Sequence, residues 1–370
     1  MLEQDRLLQR IQQMRKSSGK ISWFWKIILD WNNIQFAGGL LLILVGASLP
    51  AFVHSDYYLG IIIATILYAY VGLSWNIVGG YAGLLMFGFI PFFGLGAYTT
   101  VILLNSFFIS PWAGILLGMI PAVLLALVTS FLTLRYGLKD DYFLFFTSAV
   151  MVVMALIFSK IQIAGGAIGI SISFVKSSWA RMVFIEKEPY LYICLGLLFI
   201  GLLVNFLVAR SRLGRYLVAI RESEDGAKAL GVDVSRYKTY SLVIAAALNA
   251  LGGGFYMVYT TFIDPPLVFG GTFNFELLIA PIIGGRGTVL GPLLGAILNK
   301  PFVELIRGFF SVSRAGTTLM IYGAFLMIFI LFLPRGVIGL FEPPYRRFRQ
   351  RMLKKLTGAG RSAATPSDTE

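Results

Sequence analysis

One cysteine and one histidine in 370 residues set the first limits on this chain. Cys194 has no partner for an intramolecular disulfide, and with His54 it makes no His/Cys metal set, so no metal site is expected. His54 sits between two apolar runs, where a loop or interfacial histidine is expected. Charged residues are scarce, at 13% of the chain, about half of what a soluble domain carries. No G-x-x-x-x-G-K-[ST] phosphate loop occurs, because Gly19-Lys20 is followed by isoleucine and has no suitably spaced glycine before it. ATP therefore has no ordinary site here, and no cofactor is expected in this chain. Residues 1–20 are polar and basic and lack the apolar core of a cleaved signal. An amphipathic surface helix and a solvated basic tail both remain open for them. An enzyme would need a nucleophile with its base, or a metal set, and the scattered acids supply neither.

What is present is apolar. Hydrophobic residues make up 57% of the chain and mean hydropathy is +0.79. They come in runs of about twenty, the length that crosses a ~30 Å hydrocarbon core as a helix. The 40 glycines and 14 prolines fit that reading, since neighbouring helices repair interrupted backbone inside a membrane. The fold class is all-α, a polytopic transmembrane helical bundle. Nine spans are read directly, near 34–53, 57–78, 82–104, 112–134, 142–163, 189–209, 239–262, 290–309 and 316–333.

Lysine and arginine test that number. The net charge of +13 would suit nucleic acid, but the basic residues gather before the first span, between the sixth and seventh, and after the last. That is the positive-inside pattern of a membrane protein, so lipid rather than nucleic acid is the expected neighbour. Nine crossings would put the last basic cluster outside. The conflict disappears if residues 273–283 form a tenth, short or broken element turning at Gly284-Gly285-Arg286-Gly287. Eleven helical residues rise only ~16 Å, so this element must sit inside the bundle. The expected organisation is a cytoplasmic basic segment over 1–33, a membrane domain over 34–334 and a basic, partly disordered cytoplasmic tail over 335–370. Within the membrane domain, loop 210–238 is cytoplasmic and loop 164–188 external.

The cytoplasmic loop is built to be rigid. Ser223 can cap a short helix with Glu224 and Asp225 in its first turn, and Gly231 can end it in the left-handed conformation. A second start follows at Asp233 or Ser235. Such a helix could press into a groove on a partner; an ordinary basic loop is the plainer alternative. Residues 79–97 and 270–296 are Gly/Pro-interrupted apolar stretches, one in each half, which points to a midplane pathway. Close helix packing through small residues is the alternative, and Ala246, Ala250 and Gly254 at four-residue spacing fit that role. Few ionisable groups remain in the spans. Glu304 and Arg307 can pair on one helix face, whereas Glu276 has no local partner and is the preferred pathway or gate residue.

These segments resemble a known family. RLGRYLVAIRESEDGAKALGVDVSRYK is similar to the coupling loop of branched-chain amino-acid ABC permeases of the LivM type, with Gly226 at the usual first alanine of an E-A-A-x-x-x-G-like motif. The likeness continues through Gly252–Gly254, Phe262-Ile263-Asp264-Pro265, Gly284-Gly285-Arg286-Gly287-Thr288, Gly291-Pro292-Leu293-Leu294-Gly295-Ala296 and Phe332-Leu333-Pro334-Arg335-Gly336. Upstream, GGYAGLLMFGFIPFFGLGAYTT resembles a second family segment. Two departures stand out: Gly88-Phe89 where the family often has a histidine, and the charged start Lys139-Asp140-Asp141-Tyr142 of the fifth span.

The resemblance implies an importer subunit in the bacterial inner membrane, carrying branched-chain or other hydrophobic amino acids. It implies two ATP-binding cassette subunits that hold the ATP, a second homologous permease subunit, and an extracytoplasmic solute-binding protein. Gly214, Arg215, Arg221, Glu224, Ala227 and Gly231 become candidates for ATPase coupling. Tyr81, Gly83, Gly88, Phe89, Phe93, Glu276, Gly284 and Gly285 become candidates for the translocation pathway. ABC permeases for urea or short amides are the near alternative, and an ion-coupled secondary transporter a more distant one.

Overall fold

The computed structural model describes residues 31–53, 55–135, 140–172, 179–309, 315–333, 336–341 and 343–345. The basic N-terminal segment, His54, Lys139 and most of the tail, for which expectations were given above, lie outside the described residues.

Helices dominate because the spans offer no water to unpaired peptide groups. The first is α1, Trp31–Ser48, and α2 follows over Asp56–Trp75, continuing as a π-helical turn at Asn76–Tyr81. Helix α3 spans Ile90–Phe107. The expected fourth span is two helices, α4 (Pro111–Leu117) and α5 (Met119–Arg135). Pro121 explains the break, because its ring would clash with the carbonyl four residues earlier, at Leu117. Then come α6 (Asp140–Lys160), α7 (Glu188–Arg210), α8 (Arg212–Glu222), α9 (Glu224–Ala229) and α10 (Val234–Thr260). The chain continues through α11 (Pro265–Val268), α12 (Gly271–Gly284), α13 (Gly291–Phe309) and α14 (Ala315–Phe332).

Among the described residues, eight helical stretches are long and apolar enough to cross a membrane. One of them is Pro265–Gly284, the short or broken element of the sequence reading. It begins eight residues before the expected 273, and Gly270 in extended conformation separates α11 from α12. Large apolar side chains on the outer faces of α5 and α6, such as Leu124, Phe131, Phe145 and Leu156, are more than half exposed. Water would penalise such a belt, whereas lipid solvates it. The protein is a multi-pass membrane protein.

Helix α10 is the central post, packed on α2, α3, α4 and α5. Its small residues allow the approach. Ala246 and Ala250 are fully buried, and a Cβ on Gly96 of α3 would come within 2.0 Å of the Ala250 carbonyl. Loop 164–188 is fastened to the same post. Its strand β1, Ile170–Ser171, pairs antiparallel with β2, Phe262–Ile263, just beyond α10. Trp112 Nε1 donates to the Trp179 carbonyl at 2.9 Å, and the Trp179 ring packs edge-on against Phe184.

Candidate translocation and coupling site

Between the π-turn and α3 the chain runs through residues 83–89 without helix, although Met86, Gly88 and Phe89 are buried. Its peptide groups must find partners in the protein. Four helices provide them. Asn249 Nδ2 of α10 donates to the Phe89 carbonyl at 2.9 Å, and Trp75 Nε1 of α2 donates to the Met86 carbonyl at 2.9 Å. Asn274 of α12 closes both sides of the bend, its Nδ2 donating to the Phe87 carbonyl and its Oδ1 accepting from Ile90 N at 3.1 Å. Thr147 Oγ1 of α6 accepts from Gly88 N at 3.3 Å. Gly88 is required there, since a Cβ would lie 1.8 Å from the Thr147 carbonyl oxygen.

A second irregular segment, between α12 and α13, lies against the π-turn. Gly285 and Gly287 both take positive φ, at 124° and 74°. Asn76 joins the two segments. Its Oδ1 accepts from Gly287 N at 2.7 Å, and its Nδ2 donates to the Thr288 carbonyl at 2.9 Å and to Asn205 Oδ1 at 3.1 Å. Asn205 of α7 in turn donates to the Leu73 carbonyl at 2.9 Å. Gln35 of α1 accepts from Val289 N at 2.7 Å. The two interrupted stretches are thus one hydrogen-bonded body.

The loop beneath is a preformed unit. Ser211 caps α8, Ser223 caps α9 by accepting from Gly226 N at 3.1 Å, and Asp233 caps α10 by accepting from Arg236 N at 3.1 Å. Gly231 has φ 79°, ending α9 as its sequence position predicts. Ile220, Ala227 and Val234 form a small core of their own. Glu224 pairs with Lys228 at 2.9 Å and Lys238 at 2.5 Å. Partial burial pushes its carboxyl up, but the hydrogen bonds and charges of the two lysines outweigh this and hold it below its ordinary value.

Arg221, near the end of α8, connects this unit to the interior. Its stem lies across Gly83, where a Cβ would come within 2.4 Å of Arg221 Cγ, and its Nη1 donates to the Gly80 carbonyl at 2.8 Å. The same Nη1 would be 2.6 Å from a Cβ on Gly287. One guanidinium therefore touches both interrupted segments.

At the other end of α7 and α10 lies a cavity of about 580 Å³. Tyr57, beside the start of α2, and Lys187, beside the start of α7, line its mouth. Tyr68 is twelve residues into α2, about 18 Å along the helix, so the cavity reaches roughly the middle of a ~30 Å core. The lining also includes Tyr256, Phe273, Glu276, Lys300 and Glu304.

The candidate residues fall in different parts of the fold. Of the pathway set, Glu276 lines the cavity, and Phe93 lies behind it with its ring 5.4 Å from Tyr256 and 5.7 Å from Phe273. Tyr81, Gly88, Phe89, Gly284 and Gly285 are buried in the joined segments, and Gly83 is half-buried under Arg221. Of the coupling set, Arg215 and Gly231 are exposed, Gly214 and Ala227 are interior, and Glu224 is turned to Lys238. Asp141 and Tyr142 are exposed, away from the cavity. Glu304 takes Lys300 as its partner at 2.7 Å; the Arg307 side chain lies outside the described residues. Sequence reasoning passed over Lys300, although its i,i+4 spacing to Glu304 inside an apolar span was a usable signal. It also missed α8, whose Leu213, Leu217 and Ile220 repeat at helical spacing, and Leu230, 85% exposed at the tip of an otherwise polar loop.

A helical bundle whose interior is crossed by two hydrogen-bonded chain interruptions, with a charged cavity at one end and a capped loop at the other, has the build of a membrane permease. A family model described as "Branched-chain amino acid transport system / permease component" matches residues 57–331, and the chain belongs to that family. It is 26% identical to the high-affinity branched-chain amino acid transport system permease protein LivM of Salmonella typhimurium, over 85% of this chain and 78% of that protein. It is 25% identical to a probable LivM of Methanocaldococcus jannaschii, over 76% of this chain and 94% of that protein. A probable LivH of the same organism is 25% identical over 66% of this chain and 80% of its own length.

Proposed function

We propose that this chain is the driven membrane subunit of an ATP-powered importer of branched-chain or other hydrophobic amino acids in the bacterial inner membrane. In this reading it crosses the membrane about ten times, with both termini and the α8–α9 unit cytoplasmic and loop 164–188 outside. Two ATP-binding cassette subunits hold the ATP and engage the α8–α9 unit. A second homologous permease completes the pathway, and a binding protein delivers solute at the end where Ile168 and Ile185 stand 87% and 92% exposed. Family membership and likeness to proteins named LivM and LivH support the solute class and the second permease.

The observation that carries the reading is the bond from Arg221 to Gly80. A capped helical unit with its own core moves as a body, and this bond gives its motion a route to the interrupted segments. Closure of the ATPase pair would press on α9, shift α8 with it, and tilt α7 and α10, which leave the unit at either side.

Substitution of Leu230 by aspartate tests the docking step. Leu230 touches little within the chain, so the variant should fold normally while co-purification with the ATPase subunits falls about tenfold or more, as for loss of an apolar anchor. Normal co-purification would sink the docking assignment. Uptake that survives ATP depletion and collapses with the proton gradient would instead make the protein a secondary transporter.

A further inference from the structure

Four charged side chains line the outer cavity. Lys187 stands at the mouth with its Nζ on the Asp56 carbonyl, and the coupling geometry uses none of the other three, Glu276, Lys300 and Glu304. Lys300 and Glu304 sit one turn apart on α13, 2.7 Å from Nζ to Oε1, with side chains only 8% and 22% exposed. Lys300 Nζ also lies 4.6 Å from the centre of the Tyr68 ring, and the Tyr68 hydroxyl donates to Glu276 Oε2 at 2.8 Å. Ionisable groups are costly in a membrane helix and are rare there without a cavity, a partner or a function. A buried ion pair is seldom more stabilising than apolar residues of the same volume. Packing alone does not account for three of them lining a cavity whose volume, about 580 Å³, falls within the range of small-molecule sites.

The cavity has two chemical faces. Leu67, Tyr256, Tyr259 and Phe273 make a wall of hydrocarbon and aromatic ring. On the other face the Lys300 ammonium pairs with Glu304 and lies over the Tyr68 ring, whose hydroxyl holds Glu276. A solute with an amine and a carboxylate on one carbon matches the charged face, its carboxylate on Lys300 and its ammonium on Glu276. The neighbouring tyrosine rings favour the same cation. Its side chain then meets the apolar wall.

We propose that the Glu276–Tyr68–Lys300–Glu304 cluster is a solute site within the membrane that recognises the zwitterionic head of an amino acid, leaving the apolar wall to grade the side chain. This rests on the import reading above. It assigns selectivity to the permease itself, separate from any selection by a binding protein.

The test is binding of tritiated leucine to the purified permease–ATPase complex in nanodiscs, without binding protein. Isocaproate, which lacks the amine, and isoamylamine, which lacks the carboxylate, serve as competitors. Each should compete at least about tenfold more weakly than leucine. Glu276→Gln should weaken leucine about tenfold and leave competition by isocaproate unchanged. The double variant Lys300→Met/Glu304→Met removes both charges, so neither is left buried alone; it should weaken leucine and leave isoamylamine unchanged. Tyr68→Phe keeps the ring and removes one hydrogen bond to Glu276, giving a smaller loss of about threefold should Glu276→Gln fail to fold. Wild-type leucine binding in the substituted complexes, or analogues that compete as well as leucine, would overturn the site. ATP-dependent leucine uptake by the wild-type complex with loaded binding protein scores the import reading separately. Uptake together with unaltered binding in the variants refutes only the site, whereas absence of uptake refutes the reading beneath it.

Discussion

Replacing Arg221 by methionine isolates the contact between the loop and the interrupted segments. Methionine keeps an unbranched stem over Gly83 and removes only the guanidinium that reaches the Gly80 carbonyl at 2.8 Å. A hydrogen bond from an ionised donor contributes about 1.5–3 kcal/mol. The side chain is 34% exposed, so water competes and the lower end applies, about 1.5 kcal/mol. The neighbouring pair with Glu222 adds little, since that carboxylate is 70% exposed. At about 1.4 kcal/mol per factor of ten, solute moved per ATP hydrolysed should fall roughly tenfold. The assay is parallel uptake and ATPase measurement in proteoliposomes holding the complete transporter. Hydrolysis should persist, because the proposed reading places the ATP on other subunits. An unchanged uptake-to-hydrolysis ratio would refute the idea that force passes through this bond. Loss of the ATPase subunits on purification would show that Arg221 docks the partner instead.

Three further outcomes follow from the same geometry. Asn274→Leu strands the Phe87 carbonyl and the Ile90 amide; at about 1–3 kcal/mol each the unfolding free energy in mixed micelles should drop by about 2–6 kcal/mol. Interhelical bonds in membranes average only about 0.6 kcal/mol, and a loss near 1 kcal/mol would show that the bend finds other partners. Gly88→Ala places a methyl 1.8 Å from the Thr147 carbonyl, so the segment must shift, and the variant should lose uptake and melt well below wild type. Glu224 is held below its ordinary value in the folded state, so its pairing stabilises the loop above the usual carboxylate range and is lost as pH falls through the lowered value. Hydrogen-exchange protection of α9, corrected for intrinsic rates, should hold at neutral pH and fall only on acidification below the usual carboxylate range, with the step absent in Glu224→Gln.

The features legible in the sequence are those fixed by composition or by neighbours in the chain. Apolar runs give the membrane class, and Ser223, Gly231 and Asp233 mark the loop helices because caps act over three or four residues. Glycine and proline mark where the chain must break, but not what repairs the break. Asn76, Thr147, Asn249 and Asn274 look like isolated polar residues in apolar spans until the fold brings their partners to them. The Lys300–Glu304 pair was hidden differently. Lys300 and Arg307 stand at i−4 and i+3 from Glu304, and local helix geometry serves both. Only the fold shows that Lys300 is enclosed beside Tyr68.

The hub at Asn76 also bears on how the protein is made. Asn205 lies 129 residues later in the chain and Thr288 lies 212 later, so α2 is synthesised long before its hydrogen-bond partners exist. At about 5–20 residues per second, the gap to Thr288 is about 10–40 s. For most of that interval the π-turn and residues 83–89 lack α10 and α12 to satisfy their peptide groups, and lipid cannot substitute. The nascent N-terminal half must therefore wait where water or an insertion chaperone can hold its open backbone. Shortened chains that end before α12 should be recognised as incomplete and degraded, so quality control of this subunit is set by its last third.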